Sequence, residues 1–223
     1  MGVGARSAVR KWLTFIGMGV ICISLGSCSL FESKIRVPVA KKTEIPPPPQ
    51  ITECEKPYCS ENLDLPLFQI TKPEIYVIKS ERRLCLVQDK TLVREFHIGL
   101  GPSPKGDKYF QGDGRTPEGD YFVCAKNTAS QYYKSLGVNY PSPRHAENAL
   151  ASGVISYNEY TSIVQANDAM RLPPPNTRLG GAIFIHGGGC VQDWTLGCVA
   201  INNSAIDQLF EVVSVGTPIH ILP

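Results

Sequence analysis

What this chain has least of is charge of one sign. Its 22 lysines and arginines stand against 20 aspartates and glutamates over 223 residues, a formal net charge of +2. Nucleic-acid binding shows a basic excess clustered on one face. There is none here, and no nucleic-acid partner is expected. The apolar run from Trp12 to Leu25 falls short of the roughly 20 residues that span a bilayer. Internal repeats are missing, which excludes solenoids and propellers. Histidine is scarce, at four residues, so candidates for a general base are few. What remains is a hydrophobic content of 43% and a charged content of 19%. That suits one globular domain with extra segments and excludes wholesale disorder.

The N-terminal stretch reads as an address. Arg6, Arg10 and Lys11 form a positive n-region, no acidic residue occurs in the first 27 positions, and the apolar run fits a signal h-region. Without that stretch, 19 basic residues face 20 acidic ones, a formal charge of −1. The run closes on Leu25-Gly26-Ser27-Cys28, which resembles a bacterial lipobox. The resemblance implies cleavage before Cys28, diacylglycerol on its sulfur and a further acyl chain on the new amino group. Several chains anchor stably where one is marginal. Ser29, and not the Asp of inner-membrane retention, follows the cysteine. The expected location is therefore the periplasmic face of the cell envelope, lipid-anchored, with the outer membrane as destination. An uncleaved anchor or an ordinary secretory signal are the alternatives.

Eight cysteines become informative once a compartment is assumed. Cys22 would leave with the signal and Cys28 would carry lipid. Cys54, Cys59, Cys85, Cys124, Cys190 and Cys198 remain, and an oxidising periplasm favours pairing. Cys54 with Cys59, and Cys85 with Cys124, are candidate pairs; connectivity is not fixed by sequence.

Three regions follow: a lipoprotein signal at 1–27, a lipid-anchored proline-rich linker at 28–73, and a folded domain at 74–223. The run Pro46–Pro49 predicts extended, semi-rigid polyproline II. In the domain, Ile75–Ile78, Leu84–Val87 and Leu92–Ile98 read as strands of a meander turned at Asp89-Lys90, and Gly99–Gly119 as a loop. Further strands are expected at Tyr121–Cys124, Ala182–Ile185, Cys198–Ile201 and Thr217–Leu222. A helix capped by Asn203 or Ser204 carries Ile206, Leu209, Phe210 and Val213 at helical spacing. Between about Asn127 and Gly180 lies an insertion, a lid or a surface decoration. Its Ser156-Tyr157-Asn158-Glu159 has the form of a capping box and predicts a helix to about Arg171, ended by Pro173–Pro175. The fold class is mainly β, a meander plus sandwich-like sheet with a few helices.

The chemistry concentrates between Ile183 and Asn203. A strand delivers His186 at its end, a turn of Gly187, Gly188 and Gly189 follows, and twelve positions after the histidine comes Gly197-Cys198. Thiol catalysis needs a nucleophile, a base that takes and returns a proton, and donors for an oxyanion. Cys190 is a rival thiol in the glycine turn but lacks the Gly-before, apolar-after context. A zinc site of His186, Cys190 and Cys198 fits no structural spacing and wants a fourth ligand. No metal or cofactor is expected.

His186-Gly187, then Thr195-Leu196-Gly197-Cys198-Val199, resembles the signature of the L,D-transpeptidase (YkuD-type) catalytic domain family. Gly112-Asp113-Gly114-Arg115-Thr116-Pro117-Glu118-Gly119 is similar to that family's Thr-Pro-x-Gly turn, and Gly216–Ile221 to its last strand. The resemblance covers about Glu74 to Pro223. It implies an L,D-transpeptidase-type β-sandwich-like domain acting in cell-wall construction and shape. Cys198 would attack the carbonyl of the third residue of a peptidoglycan stem, D-alanine would leave, and an amine of a second stem would take the acyl group as a 3–3 cross-link. His186 would be the base. Leu196, Gly197 and Cys198 amides would supply oxyanion donors, with Thr195 and Gly187 positioning turn or substrate. Two departures stand out. Leu196 occupies a place where the family often has histidine, which leaves His186 as the base; Ala200 occupies one where it often has Arg or Asn. The stated alternatives are a thiol hydrolase of the same fold, trimming stems or releasing wall-attached lipoprotein, and a non-catalytic wall-binding lipoprotein.

Overall fold

The computed structural model describes residues 56–223. The signal, Cys28, the Pro46–Pro49 run and Cys54 lie outside the described residues. Nine strands form one curled sheet: β1 (Ser60–Glu61), β2 (Glu74–Ile78), β3 (Arg83–Gln88), β4 (Thr91–His97), β5 (Gly119–Ser130), β6 (Tyr133–Val138), β7 (Phe184–His186), β8 (Val199–Ala200) and β9 (Pro218–Leu222). Three helices join them: α1 (Pro143–Ala151), α2 (Tyr157–Asp168) and α3 (Asn203–Val212). The strand order is β1-β4-β3-β2-β9-β5-β6-β7-β8.

The long β5 couples the two halves of the sheet. Its first residues, Gly119–Phe122, pair with β9, and its later ones pair with β6 across register shifts after Val123 and Asn127. Such shifts bend a strand and increase its twist. The bend lets the far ends of the sheet meet: Gly99, just past β4, and Ala200 in β8 exchange both backbone hydrogen bonds, at 2.9 and 2.8 Å. The core fills the enclosed space with Leu84, Leu86, Val123, Leu136, Ile185, Val199 and Ile219, all essentially buried. Helix α3 closes it with Ala205, Ile206 and Leu209, the face its spacing predicts.

The folded part reaches further toward the N-terminus than Glu74. β1 pairs in parallel with β4, and Tyr58 packs on Cys85, Val87 and Leu92. This explains why β3 is buried on both faces: Leu84 and Leu86 face the main core while Cys85 and Val87 face the 56–61 segment. The expected Cys85–Cys124 disulfide is not formed; both thiols are free and buried. Two strands, β2 and β9, separate β3 from β5. At about 4.8 Å per strand that is roughly 14 Å, against the ~4.4–6.8 Å between Cα atoms that a disulfide needs.

The 127–180 insertion is structured throughout. Its start extends β5 and folds back as β6. Helices α1 and α2 then pack on each other through Ala146, Ala149, Ile155, Ile163 and Leu179. The capping box is present: Ser156 Oγ accepts from Glu159 N, and the Glu159 carboxylate accepts from Ser156 N at 2.7 Å. No described helix is long and apolar enough to cross a membrane.

Candidate active site

The parallel pairing of β7 with β8 sets Ile185 beside Val199 and His186 beside Ala200. Extending that register by one step places Cys198 beside Phe184. Alternate residues of a strand share a face, so Phe184, His186 and Cys198 look the same way while Ile185 and Val199 turn into the core. Phe184, His186 and Cys198 accordingly line one groove of about 760 Å³, with Tyr132, Trp194 and Leu196 along its walls and rim. None of the residues lining it is acidic or basic except His186.

His186 is almost fully buried. Its Nδ1 lies 2.7 Å from the carbonyl oxygen of Gly187. A carbonyl only accepts, so the network assigns the proton to Nδ1 and leaves Nε2 as a free acceptor. Tyr132 stacks on the imidazole at 4.5 Å between centroids, and Trp194 meets it edge-on at 5.4 Å. Burial holds the imidazole below its ordinary pKa, with the Gly187 carbonyl pulling the other way. Cys198 is half-buried, and its thiol donates to Ala182 O at 3.6 Å. Burial pushes that thiol above its ordinary pKa, opposed by the Phe184 amide and the positive charge of Lys108. Both shifts favour the neutral forms.

The turn before Cys198 is fixed from within. Thr195 Oγ1 donates to Cys198 O at 2.7 Å and accepts from Gly197 N at 3.3 Å. Thr195 N donates to Leu100 O. Gly197 has φ of +129°, and a Cβ there would stand 2.7 Å from Arg115 O, so no other residue fits. Gly197 N is thus engaged by Thr195, leaving the Leu196 and Cys198 amides as the open donors of this turn. Leu196 is 83% exposed at the rim. Gly187 does not face the groove. It is buried, its N–H donates to Lys134 O at 3.0 Å, and a Cβ would meet Asn203 Oδ1 at 2.6 Å. Its N–H continues the β6–β7 pairing, and it is not among the residues lining the groove.

Asp193 ties the loop to the first half of the sheet. It accepts from Leu100 N at 2.8 Å and from Arg82 Nε and Nη2 at 3.1 and 2.7 Å. Cys190 is buried and free. Among the described residues no three His, Cys, Asp or Glu side chains converge as a metal site requires. Sequence reasoning missed Tyr132, which arrives from the β5–β6 hairpin with no local signal, and the Arg82–Asp193 tie.

The L,D-transpeptidase catalytic domain model matches residues 72–221, and the chain belongs to that family. No curated protein matches the sequence. Solved structures that resemble it include an L,D-transpeptidase from Xylanimonas cellulosilytica, at 15% identity and a TM-score of 0.40 over 68% of this chain and 60% of that one. The helical cell shape determining protein Pgp2 from Campylobacter jejuni gives 21% identity and 0.47 over 69% and 47%. Bd1075 from Bdellovibrio bacteriovorus gives 20% and 0.45 over 69% and 48%. The chain thus spans about half to three-fifths of the length of these structures.

Proposed function

We propose that this chain is a peptidoglycan L,D-transpeptidase that joins stem peptides by 3–3 cross-links, held at the cell envelope by lipid on Cys28. The observation that supports it is the convergence of a free His186 Nε2 and the Cys198 thiol in one groove without other charge. The His186 Nε2 lone pair takes the thiol proton as sulfur bonds to the carbonyl carbon of the third stem residue. The Leu196 and Cys198 amides receive the oxyanion, each worth about 3–4 kcal/mol if aligned. The imidazolium returns its proton to the departing D-alanine amine, and a thioester remains on Cys198. The side-chain amine of a second stem then attacks the thioester, loses its proton to His186, and thiol is regenerated. Water in place of that amine would give a carboxypeptidase.

The test incubates the protein without residues 1–28 with disaccharide-tetrapeptides and reads the products by mass spectrometry. A dimer that has lost one D-alanine is the expected product. Tripeptide alone would assign hydrolysis instead. Absence of both, with no carbapenem adduct on Cys198, would leave a wall-binding protein. For the anchor, labelling with a radiolabelled fatty acid in vivo should depend on Cys28; label retained in Cys28→Ser would overturn that part.

A further inference from the structure

The groove around Cys198 offers no cation to a substrate that is anionic. Stem peptides carry free carboxylates, at the C-terminus and on the residues between, and burying or docking a carboxylate without a cation or several donors is costly. A second cavity, of about 920 Å³, is lined by Arg178 and Leu179, while Ala182, three residues on, lines the groove and accepts from the Cys198 thiol. Its wall carries Arg178, Arg144 and Lys108 together with Tyr109 and Phe110, which are 64% and 57% exposed.

The charges there do not cancel. Lys108 is committed to Asp113 at 2.6 Å. Arg144 lies 3.5 Å from Asp107 and donates to Glu118 O. Asp107 is further held by the Lys108 and Glu118 amides. Arg178 makes no side-chain hydrogen bond or ion pair among the described residues; only its backbone carbonyl is used, by Gln111 N at 3.0 Å. Arg178, exposed and with a planar donor fork, therefore lines a cavity together with two exposed rings, while the groove that Ala182 lines has no lysine or arginine of its own.

We propose that this cavity is a substrate subsite that takes a carboxylate of the peptidoglycan stem peptide on Arg178, with Tyr109 and Phe110 as the apolar wall for the atoms that carry it. The proposal rests on the L,D-transpeptidase reading for the identity of the peptide. It gives the α1–α2 insertion a part in recognition, since α1 supplies Arg144 and Asn148 to the same cavity.

The experiment uses the full chain in detergent as Cys198→Ala, so that binding is read without turnover, and titrates it calorimetrically with disaccharide-tetrapeptide. Arg178→Ala should weaken binding about ten-fold, the size expected for one charge-assisted hydrogen-bonded contact; Arg178→Lys should recover part of it. A tetrapeptide with its carboxylates amidated should bind both forms equally. In the Cys198 background, Arg178→Ala should raise KM with kcat held, and alkylation of Cys198 by iodoacetamide should be unchanged. Equal affinity of the Arg178→Ala and parent proteins for the free-acid peptide overturns the subsite even if cross-linking activity is found. Arg178-dependent binding in a protein that turns nothing over upholds the subsite and removes the transpeptidase reading. No binding of the free-acid peptide at all overturns the subsite.

Discussion

Thr195 is where a single atom can be removed and its consequence calculated. Valine has the shape of threonine without the hydroxyl. In Thr195→Val the Cys198 carbonyl loses the donor that now stands at 2.7 Å, and the Gly197 N–H loses its acceptor at 3.3 Å. The residue is buried, so water does not simply replace the hydroxyl. Leaving a buried polar group unpaired costs about 1–3 kcal/mol, and the longer of the two bonds contributes less. A loss of about 2 kcal/mol follows. For a domain of this size each kcal/mol moves Tm by about 2–4 °C, so calorimetry should show Tm lower by about 4–8 °C. The same hydroxyl sets the pitch of the turn that aims Cys198. A displacement of the nucleophile by a fraction of an ångström should slow carbapenem acylation by between about ten- and a hundred-fold, read by mass spectrometry of the adduct. Thr195→Ser keeps the hydroxyl and should stay near wild type in acylation. If the valine variant melts within a degree of wild type and acylates at the same rate, the turn does not depend on this hydroxyl and the reasoning fails.

Three further perturbations follow from the same geometry. With His186 below its ordinary 6.5 and the Cys198 thiol above its ordinary 9.0, acylation should rise with pH as the imidazole loses its proton on the acid side of 6.5. It should then stay level through neutrality; a maximum near pH 5–6 that declines by pH 8 would indicate a preformed thiolate–imidazolium pair instead. Tyr132→Ala removes the ring stacked on His186 and should cut acylation several-fold, while Tyr132→Phe preserves the stack and the rate; equal rates in all three would remove Tyr132 from the site. Asp193 is held below its ordinary carboxylate pKa, first by the Arg82 guanidinium, so its contribution is present above pH 3.8 and is lost as pH falls through its lower folded value. Asp193→Asn should therefore lower Tm at neutral pH by an amount that shrinks as pH falls below 3.8; a Tm gap that stays constant down to the acid limit of folding would contradict the assignment.

The parts of this protein that were legible in its sequence are those whose signals are local. The capping box at Ser156 and the helical spacing of Ile206 and Leu209 are each written within one turn of chain. The Asp89-Lys90 turn is realised with both residues at positive φ. Helix α3 begins one residue earlier than its predicted caps: Asn202 is the N-cap, without a side-chain capping bond, and the Asn203 carboxamide oxygen instead accepts from Gly188 N at 2.9 Å. Strand β6 went unread because Ser135 and Gly137 break its apolar pattern, yet both are buried between β5 and β7. Helix α1 buries His145, Ala146 and Ala149, residues too small or polar to show as an apolar stripe; Ser142-Pro143, a cap followed by proline at the first helical position, was the available sign. The motif alone names Cys198 and His186, and the β7–β8 register brings the two to one groove. Tyr132, the Arg82–Asp193 tie and Arg178 were not, because each is brought to the site by contacts across many residues of chain.

Backbone register also brings His186 and Cys198 together with few charged groups nearby. His186 and Cys198 stand on the same face of neighbouring parallel strands only if the connection between them, Gly187 to Gly197, returns the chain in that register. A shift of one residue would turn Cys198 into the core and bring Gly197 or Val199 to the groove. The loop is therefore fastened at several points: Gly189 N to Ile201 O, Trp194 Nε1 to Gly189 O, Thr195 N to Leu100 O and Asp193 to Arg82. A cysteine aligned by backbone register needs no ion pair to hold it. The groove can stay without lysine, arginine or carboxylate, and burial then pushes the Cys198 thiol above its ordinary pKa. In the proposed subsite the substrate carboxylate is met outside the groove, at Arg178, which lines a separate cavity and has no side-chain partner among the described residues.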